Sequence, residues 1–125
     1  MQNDLKTVLH IDDDALLRAS LGAVLRTSGY TVFSADGGRS GIDSAKQNHP
    51  AVIVVDYEMP DIDGIAVVKE VRADGEWGLH VPIIFATNKY DLTAMNELMR
   101  YGVTDYIIKS DVGIAGIERI ISKYV

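Results

Sequence analysis

Charged and hydroxyl side chains directly follow the most apolar runs of this 125-residue chain. The clearest case is AVIVV, residues 51–55, which is followed directly by the carboxylate of Asp56. The residues in question are Asp12, Asp13 and Asp14, Asp56, Thr87 and Lys109. Clustered carboxylates are typical of a site for a hard cation, and a lysine with a hydroxyl is typical of a site for an anion. We therefore interpret these residues as candidates for one functional site.

Five short apolar or β-branched runs predict the strands that position these residues. The runs are Thr7–Ile11, Thr31–Ser34, Val52–Val55, Pro82–Ala86 and Tyr106–Ile108. Between them, apolar residues recur three or four apart, as at Leu17, Leu21 and Leu25 before the helix-terminating Gly29. The other predicted helices are Asp36–Asn48 with Asp36 as N-cap, Asp63 or Gly64 to about Ala73, Tyr90–Tyr101 and Asp111–Lys123. The segment Ala73–Pro82 is predicted as a long loop in which Trp77 covers local apolar surface.

Strict alternation of strand and helix predicts one domain over residues 1–125, a three-layer doubly wound α/β fold with a five-stranded parallel sheet. The carboxyl ends of parallel strands open at one edge of the sheet. Asp12, Asp13, Asp56, Thr87 and Lys109 are thus expected to meet there. Several adjacent carboxylates need a neutralising cation. Oxygen ligands without a nearby His or Cys favour Mg²⁺, and Lys109 supplies further positive charge.

Other polar residues have simpler interpretations. Asp14 is better explained as the N-cap of the first helix. His10 is interpreted as a packed core histidine, and His49 and His80 as loop residues. The glycines of DGGRSG lack the G-x-G-x-x-G spacing of a dinucleotide site.

The composition excludes several classes of function. Hydrophobic residues make up 47% of the chain and charged residues 24%, as in an ordinary globular domain. The net charge of −6 argues against nucleic-acid binding through this chain. No apolar run approaches membrane-spanning length, and the N-terminal residues lack the apolar core of a signal peptide. With no cysteine, a reducing compartment is permitted, and we expect a cytoplasmic protein with no membrane partner.

Four motifs resemble the receiver domain of bacterial two-component response regulators, in the same order and at similar spacing. They are IDDD at 11–14, VDYEMPDIDG at 55–64, IIFATN at 83–88 and DYIIKS at 105–110. The resemblance covers the whole chain. It implies a flavodoxin-like (βα)5 fold with strand order 2-1-3-4-5, and a role in signal transduction by phosphorelay rather than as an enzyme.

The resemblance also implies a phosphorylated aspartate beside a magnesium site. Asp56 would accept a phosphoryl group from a sensor histidine kinase or a phosphotransfer protein. Mg²⁺ would be held by Asp13 directly, by Asp12 directly or through water, by Asp56, and by the backbone carbonyl of Glu58. Phosphoryl transfer to a carboxylate needs cations that neutralise the phosphoryl oxygens, which agrees with this set.

A switch follows from the same resemblance. Lys109 would contact the phosphoryl oxygens, Thr87 would hydrogen-bond to the phosphoryl group, and the Tyr106 side chain would change rotamer as Thr87 moves. A downstream protein would then bind the face formed by the fourth helix, fifth strand and fifth helix, where Met95 and Met99 lie one turn apart. A phosphorylation-dependent homodimer through this face is a further expectation.

The chain departs from the family pattern at Ser110, where a proline usually follows the lysine; we expect a trans peptide there. Glu58 and Lys89 each lie two residues beyond a site residue and have opposite charges. We expect them to pair and to gate the access of water to an aspartyl phosphate.

Two other classes of function remain as alternatives at this point. An aspartyl-nucleophile phosphatase would place a second acid two residues after the nucleophile, where Glu58 stands. A flavodoxin-like cofactor binder would need a Ser/Thr-rich phosphate loop after the first strand, and this chain has none there.

Overall fold

The computed structural model describes residues 6–125, so the first five residues of the predicted domain 1–125 lie outside the described part. The strands are β1 (Thr7–Ile11), β2 (Thr31–Ala35), β3 (Val52–Asp56), β4 (Ile83–Thr87) and β5 (Asp105–Ile108). The helices are α1 (Ala15–Thr27), α2 (Gly38–Asn48), α3 (Gly64–Arg72), α4 (Gly75–His80), α5 (Leu92–Arg100) and α6 (Lys109–Ile121). The predicted fourth and fifth helices correspond to α5 and α6.

The five strands form one parallel sheet in the order β2-β1-β3-β4-β5. This confirms the predicted fold class and strand order. The central strand β3 is buried at every position, as its uninterrupted apolar sequence requires. The register places Asp56 opposite Ala86 of β4, so the two strands end at the same level.

Alternate residues of the strands enter two separate apolar cores. Leu9, Ile53 and Phe85 pack on the face covered by α2, α3 and α5. Val8 and Val54 pack on the opposite face with Leu21, Leu25, Ile117 and Ile121 of α1 and α6. The sheet is therefore covered on both faces, as expected for parallel strands with helical crossovers.

The N-terminus of α2 differs from the prediction. The helix begins at Gly38, not Asp36, and its N-cap residue Gly37 makes no side-chain capping bond. The Asp61 carboxylate, from the loop after β3, instead accepts hydrogen bonds from the N–H groups of Gly38 (2.9 Å) and Arg39 (2.8 Å). These bonds lower the pKa of Asp61 to about 2. The Asp61 carboxylate thereby joins the loop that follows Asp56 to the N-terminus of α2.

The predicted loop 73–82 contains the short helix α4. Arg72 donates to the carbonyls of Gly78 and Val81 at the end of this helix (2.8 and 2.7 Å). Trp77 is half-buried against one apolar core, as expected, and its Nε1–H donates to the Pro50 carbonyl at 3.1 Å. The spacing of residues along the chain did not predict α4, because the carbonyls at the end of this helix accept their hydrogen bonds from the Arg72 side chain.

The remaining boundaries differ by up to two residues. Asp63 caps α3, and α5 begins at Leu92 with Asp91 as its N-cap. The last helix begins at Lys109 and is interrupted at Gly113 (φ 67°, ψ 179°), a conformation nearly restricted to glycine. The peptide bonds of the described residues are all trans, which includes the bond before Ser110.

Candidate functional site

The predicted site residues meet in a cavity at the carboxyl edge of the sheet. The cavity has a volume of about 310 Å³ and is lined by Asp12, Asp13, Asp14, Asp56, Glu58, Thr87, Asn88 and Lys109. Asp12, Asp56 and Thr87 are buried, whereas Asp13 and Glu58 are exposed. The structure thus brings together residues from four separate strand ends.

Local backbone structure fixes the first group of acids. Asp12 follows β1 directly, and its Oδ1 accepts a hydrogen bond from the Asp14 N–H at 2.9 Å. The Asp14 carboxylate accepts from the Leu17 N–H at 3.1 Å and so caps α1. The N-cap interpretation of Asp14 is confirmed. Arg18 also holds this turn, because its Nη1 donates to the Asp12 carbonyl at 2.6 Å.

The turn after Asp56 depends on a close backbone approach. The Gly64 N–H donates to the Tyr57 carbonyl at 2.7 Å, which brings the start of α3 back to the end of β3. A Cβ atom at Gly64 would lie 2.2 Å from the Asp56 carbonyl oxygen. Only glycine fits this approach, which accounts for the DG pair of the motif.

Lys109 joins the two buried carboxylates. Its Nζ lies 2.7 Å from Asp12 Oδ2 and 3.1 Å from Asp56 Oδ1, and its side chain is 12% exposed. Ion pairs in such a poorly solvated position interact more strongly than surface pairs. One ammonium therefore bridges two acids that would otherwise repel each other.

The two aspartates differ in their electrostatics. Burial alone raises the pKa of Asp12, but the His10 imidazole, the Lys109 ammonium and the Asp14 N–H together lower it to about 2. The pKa of Asp56 is raised, because burial and the Asp12 carboxylate outweigh the effect of Lys109. Burial lowers the pKa of Lys109, yet the two carboxylates raise it above its ordinary value. Asp56 is therefore the acid whose negative charge is least stabilised.

The carboxylates fit a divalent cation in position, chemistry and charge. One oxygen each of Asp12, Asp13 and Asp56 lies within 4.8 Å of the other two. All three are hard oxygen ligands, and three carboxylates with one ammonium carry a formal excess of two negative charges. These features suit Mg²⁺, which commonly binds one or two carboxylates and keeps several waters.

Of the two predicted switch residues, Thr87 lines the cavity and Tyr106 does not. Thr87 is 2% exposed, and the Lys89 N–H lies 3.5 Å from its Oγ1. The Tyr106 hydroxyl donates to the Lys89 carbonyl at 3.3 Å, and its ring stacks on Phe85 with centroids 5.6 Å apart. The segment after Thr87 is thus connected to β5 through the Tyr106 side chain.

Glu58 and Lys89 form the expected pair, and Glu58 also lines the cavity. Glu58 Oε2 lies 3.4 Å from Lys89 Nζ, and the side chains are 72% and 63% exposed. A pair so exposed contributes little to stability. The pair joins the loops that follow β3 and β4.

Sequence reasoning missed two neighbours of the site, Asn88, which lines the cavity, and His10. His10 is buried as predicted, but its Nε2 also lies 3.7 Å from Asp12 Oδ2. The signal available in the sequence was strand alternation, which places residues 10 and 12 on the same face.

Comparisons with known proteins identify the family. A family profile described as "Response regulator receiver domain" matches residues 8–121. The chain therefore belongs to the receiver-domain family of two-component response regulators, a family of signalling switches.

Two curated relatives are longer than this chain. It is 36% identical over 102 residues to the probable transcriptional regulator ycf27 of Porphyridium aerugineum, which covers 82% of this chain and 41% of that protein. It is 36% identical over 103 residues to the transcriptional regulatory protein PrrA of Mycobacterium bovis, with 82% and 42% covered. The chain thus spans about two-fifths of the length of these relatives.

Solved structures agree with the family. The chemotaxis protein CheY4 of Vibrio cholerae superimposes with a TM-score of 0.88 at 25% identity, covering 97% of this chain and 99% of that chain. The receiver domain of the sensor histidine kinase PA1611 of Pseudomonas aeruginosa gives a TM-score of 0.82 at 28% identity, covering 95% and 96%. In that structure a magnesium ion is coordinated in the active site cleft.

Within residues 6–125 of the present chain, no helix is long and apolar enough to cross a membrane.

Proposed function

We propose that this chain is a phosphoacceptor receiver domain that takes a phosphoryl group on Asp56 and changes its protein-binding face in response. The observation that carries the proposal is the environment of Asp56. It is a buried carboxylate with a raised pKa that lies beside Lys109 and two further aspartates, at the end of a central strand. That arrangement suits a nucleophilic carboxylate, because Lys109 and a bound cation can neutralise the negative charge that a phosphoryl group adds.

The chemistry follows from the side chains present. A carboxylate oxygen of Asp56 attacks the phosphorus of a phosphohistidine, the P–O bond forms, and the P–N bond breaks with the imidazole as leaving group. Lys109, now paired with Asp56 at 3.1 Å, then neutralises the phosphoryl oxygens. Asp12, Asp13, Asp56 and the Glu58 carbonyl would hold Mg²⁺, which supplies further positive charge to the phosphoryl group when bound.

Thr87 and Tyr106 carry the change to the surface in this proposal. The Thr87 hydroxyl lines the cavity and donates to the phosphoryl oxygens, which moves the loop that follows β4. Because Tyr106 is hydrogen-bonded to the Lys89 carbonyl in that loop, its rotamer changes with the loop. The α5, β5 and α6 face is the surface that responds.

The partners are a sensor histidine kinase or phosphotransfer protein at the cavity, and a downstream protein or a second copy at the output face. On that face Met99 is 67% exposed and Met95 is half-buried, so an adaptable apolar patch is present. We further propose that residues 1–125 form one receiver domain that acts in the cytoplasm.

The direct test is phosphorylation with acetyl phosphate, followed by intact-mass measurement. We expect one phosphoryl group per chain in the presence of Mg²⁺, none after chelation with EDTA, and none in Asp56→Asn. Ser34→Ala, an exposed residue at the end of β2, serves as a control and retains labelling. Wild-type protein that remains unmodified under these conditions would contradict the proposal.

We also propose that the Glu58–Lys89 pair slows hydrolysis of the aspartyl phosphate by limiting the access of water. The pair joins the two loops at 3.4 Å, and Glu58 lines the cavity. Lys89→Ala should therefore shorten the half-life of the phosphorylated protein, and Glu58→Gln should do so to a similar extent. An unchanged half-life in Lys89→Ala would show that the pair is not a gate.

A further inference from the structure

His10 is a buried polar residue directly beneath the proposed metal site. It is 2% exposed and lies in β1 between Ser34 of β2 and Val54 of β3. Its Nε2 faces the Asp12 carboxylate at 3.7 Å from Oδ2. The core around it is otherwise apolar on this face, so the imidazole has a specific polar neighbour rather than a polar environment.

The other ring nitrogen defines which tautomer is present. His10 Nδ1 is buried and has no hydrogen-bond partner among the described residues. A proton on Nδ1 would be a buried donor without an acceptor, which is costly. Nε2 is therefore the ring nitrogen that carries a proton, and this N–H is directed at the Asp12 carboxylate.

Three groups from different parts of the chain then define the orientation of this carboxylate. Oδ1 accepts from the Asp14 N–H at 2.9 Å, and Oδ2 lies 2.7 Å from Lys109 Nζ and 3.7 Å from His10 Nε2. A separation of 3.7 Å is longer than a hydrogen bond, so the contribution of His10 is an electrostatic attraction between its N–H and the carboxylate, together with packing.

We propose that His10 is a positioning residue: through its Nε2–H it holds the Asp12 carboxylate in the orientation needed to serve the Mg²⁺ site. The inference rests on the proposed function, since Asp12 is assigned there to the metal. His10 lies in the buried strand β1 and is not among the residues that line the cavity.

The test is the dissociation constant of Mg²⁺ for the unphosphorylated protein, measured by isothermal titration calorimetry. His10→Val removes the donor with a side chain suited to a buried strand, and we expect about tenfold weaker binding, as for other residues that orient a metal ligand. His10→Gln places an amide N–H near the position of Nε2 and should restore most of the affinity. Val8→Ala, two residues away on the same buried face, should lower the urea midpoint but leave the affinity unchanged.

Three results would overturn the inference. Wild-type affinity in His10→Val would show that the donor has no effect on Asp12. Equal weakening in His10→Val and His10→Gln would assign the effect to packing alone. A wild-type chain that does not bind Mg²⁺ would overturn the proposed function, and the role of His10 with it.

Discussion

The two edges of the sheet both carry a cavity, but the cavities are built from opposite kinds of residue. The carboxyl edge has a cavity of about 310 Å³ lined by acids, one lysine and small polar side chains. The amino edge has a larger one, about 500 Å³, lined mainly by prolines, valine, alanine, Trp77 and two histidines. In the larger cavity the rings of His49 and Trp77 stack with centroids 4.3 Å apart.

The difference shows that the larger of the two cavities is not the one that contains the candidate site residues. At the amino edge the polar atoms find partners within the protein, as when Trp77 donates to the Pro50 carbonyl. At the carboxyl edge Asp12 and Asp56 share one ammonium, so negative charge exceeds positive charge there. Buried carboxylates that are not fully neutralised favour a bound cation, and Lys109 with Thr87 suits a bound anion. Substitutions at the two edges should therefore have different effects.

The largest expected effect is at Lys109. Lys109→Met leaves Asp12 and Asp56 buried without their cation, and loss of one partner from a buried pair typically lowers stability by about 3–5 kcal/mol. The free energy of unfolding should be measured by urea titration without Mg²⁺, and added Mg²⁺ should restore part of it. The exposed variant Lys89→Met is the control and should change stability by less than about 1 kcal/mol. Similar losses in the two variants would remove the distinction between buried and exposed pairs.

A second effect concerns acid sensitivity. The folded-state pKa of Asp12 is lowered from 3.8 to about 2, so its contribution is complete above the unfolded value and is lost as the pH falls from 3.8 towards 2. We expect the contribution to be about 2 kcal/mol. Asp12→Asn should be less stable than wild type at neutral pH, and the two stabilities should converge in this acidic window when measured without Mg²⁺. A constant difference across the window would exclude this linkage.

The ionisation of Asp56 should change the free energy of unfolding in the opposite direction. Its folded-state pKa is raised, so its ionisation above the unfolded pKa destabilises the folded chain. Asp56→Asn should therefore increase the free energy of unfolding at neutral pH without Mg²⁺ by about 1 kcal/mol. The gain should shrink as the pH falls from the raised folded-state pKa to the unfolded pKa, and it should vanish below the unfolded pKa, where the wild-type carboxyl group is protonated in both states. Destabilisation by Asp56→Asn at neutral pH would show that its pair with Lys109 is net favourable.

The smallest effect is expected at the amino edge. Trp77→Phe keeps an aromatic ring on the apolar surface but removes the hydrogen bond to the Pro50 carbonyl, for an expected loss of about 0.5–1 kcal/mol. The loss should not depend on Mg²⁺, and phosphorylation of Asp56 should be unaffected. A Mg²⁺-dependent loss, measured by urea titration with and without the ion, would show that the two edges are coupled.

Much of the fold was predictable because its signals are local. Each strand is an apolar run that ends at a polar residue, and β3 is buried throughout, as AVIVV indicates. Asp14 was correctly assigned as an N-cap because capping depends on residues three positions away. The site residues were predicted for a related reason, since parallel strands place their carboxyl ends at one edge whatever the sequence separation.

The errors arise where distant residues complete a local structure. Asp36 was predicted to cap α2, but Asp61 from the loop after β3 does so. The segment after α3 was predicted as a loop, but it forms α4, whose last carbonyls are bound by Arg72. In both cases the partner is identified by three-dimensional proximity and not by spacing along the chain.

The sequence by itself determined the layered α/β fold, the family and the residue types at the strand ends, because hydrophobic periodicity and turn motifs are properties of neighbouring residues. Only the tertiary structure decided how those side chains share charge. It places one ammonium between Asp12 and Asp56, leaves Asp56 the less stabilised acid, and sets His10 beneath Asp12. Electrostatic energies depend on distance and burial, and both are fixed only when the chain has folded.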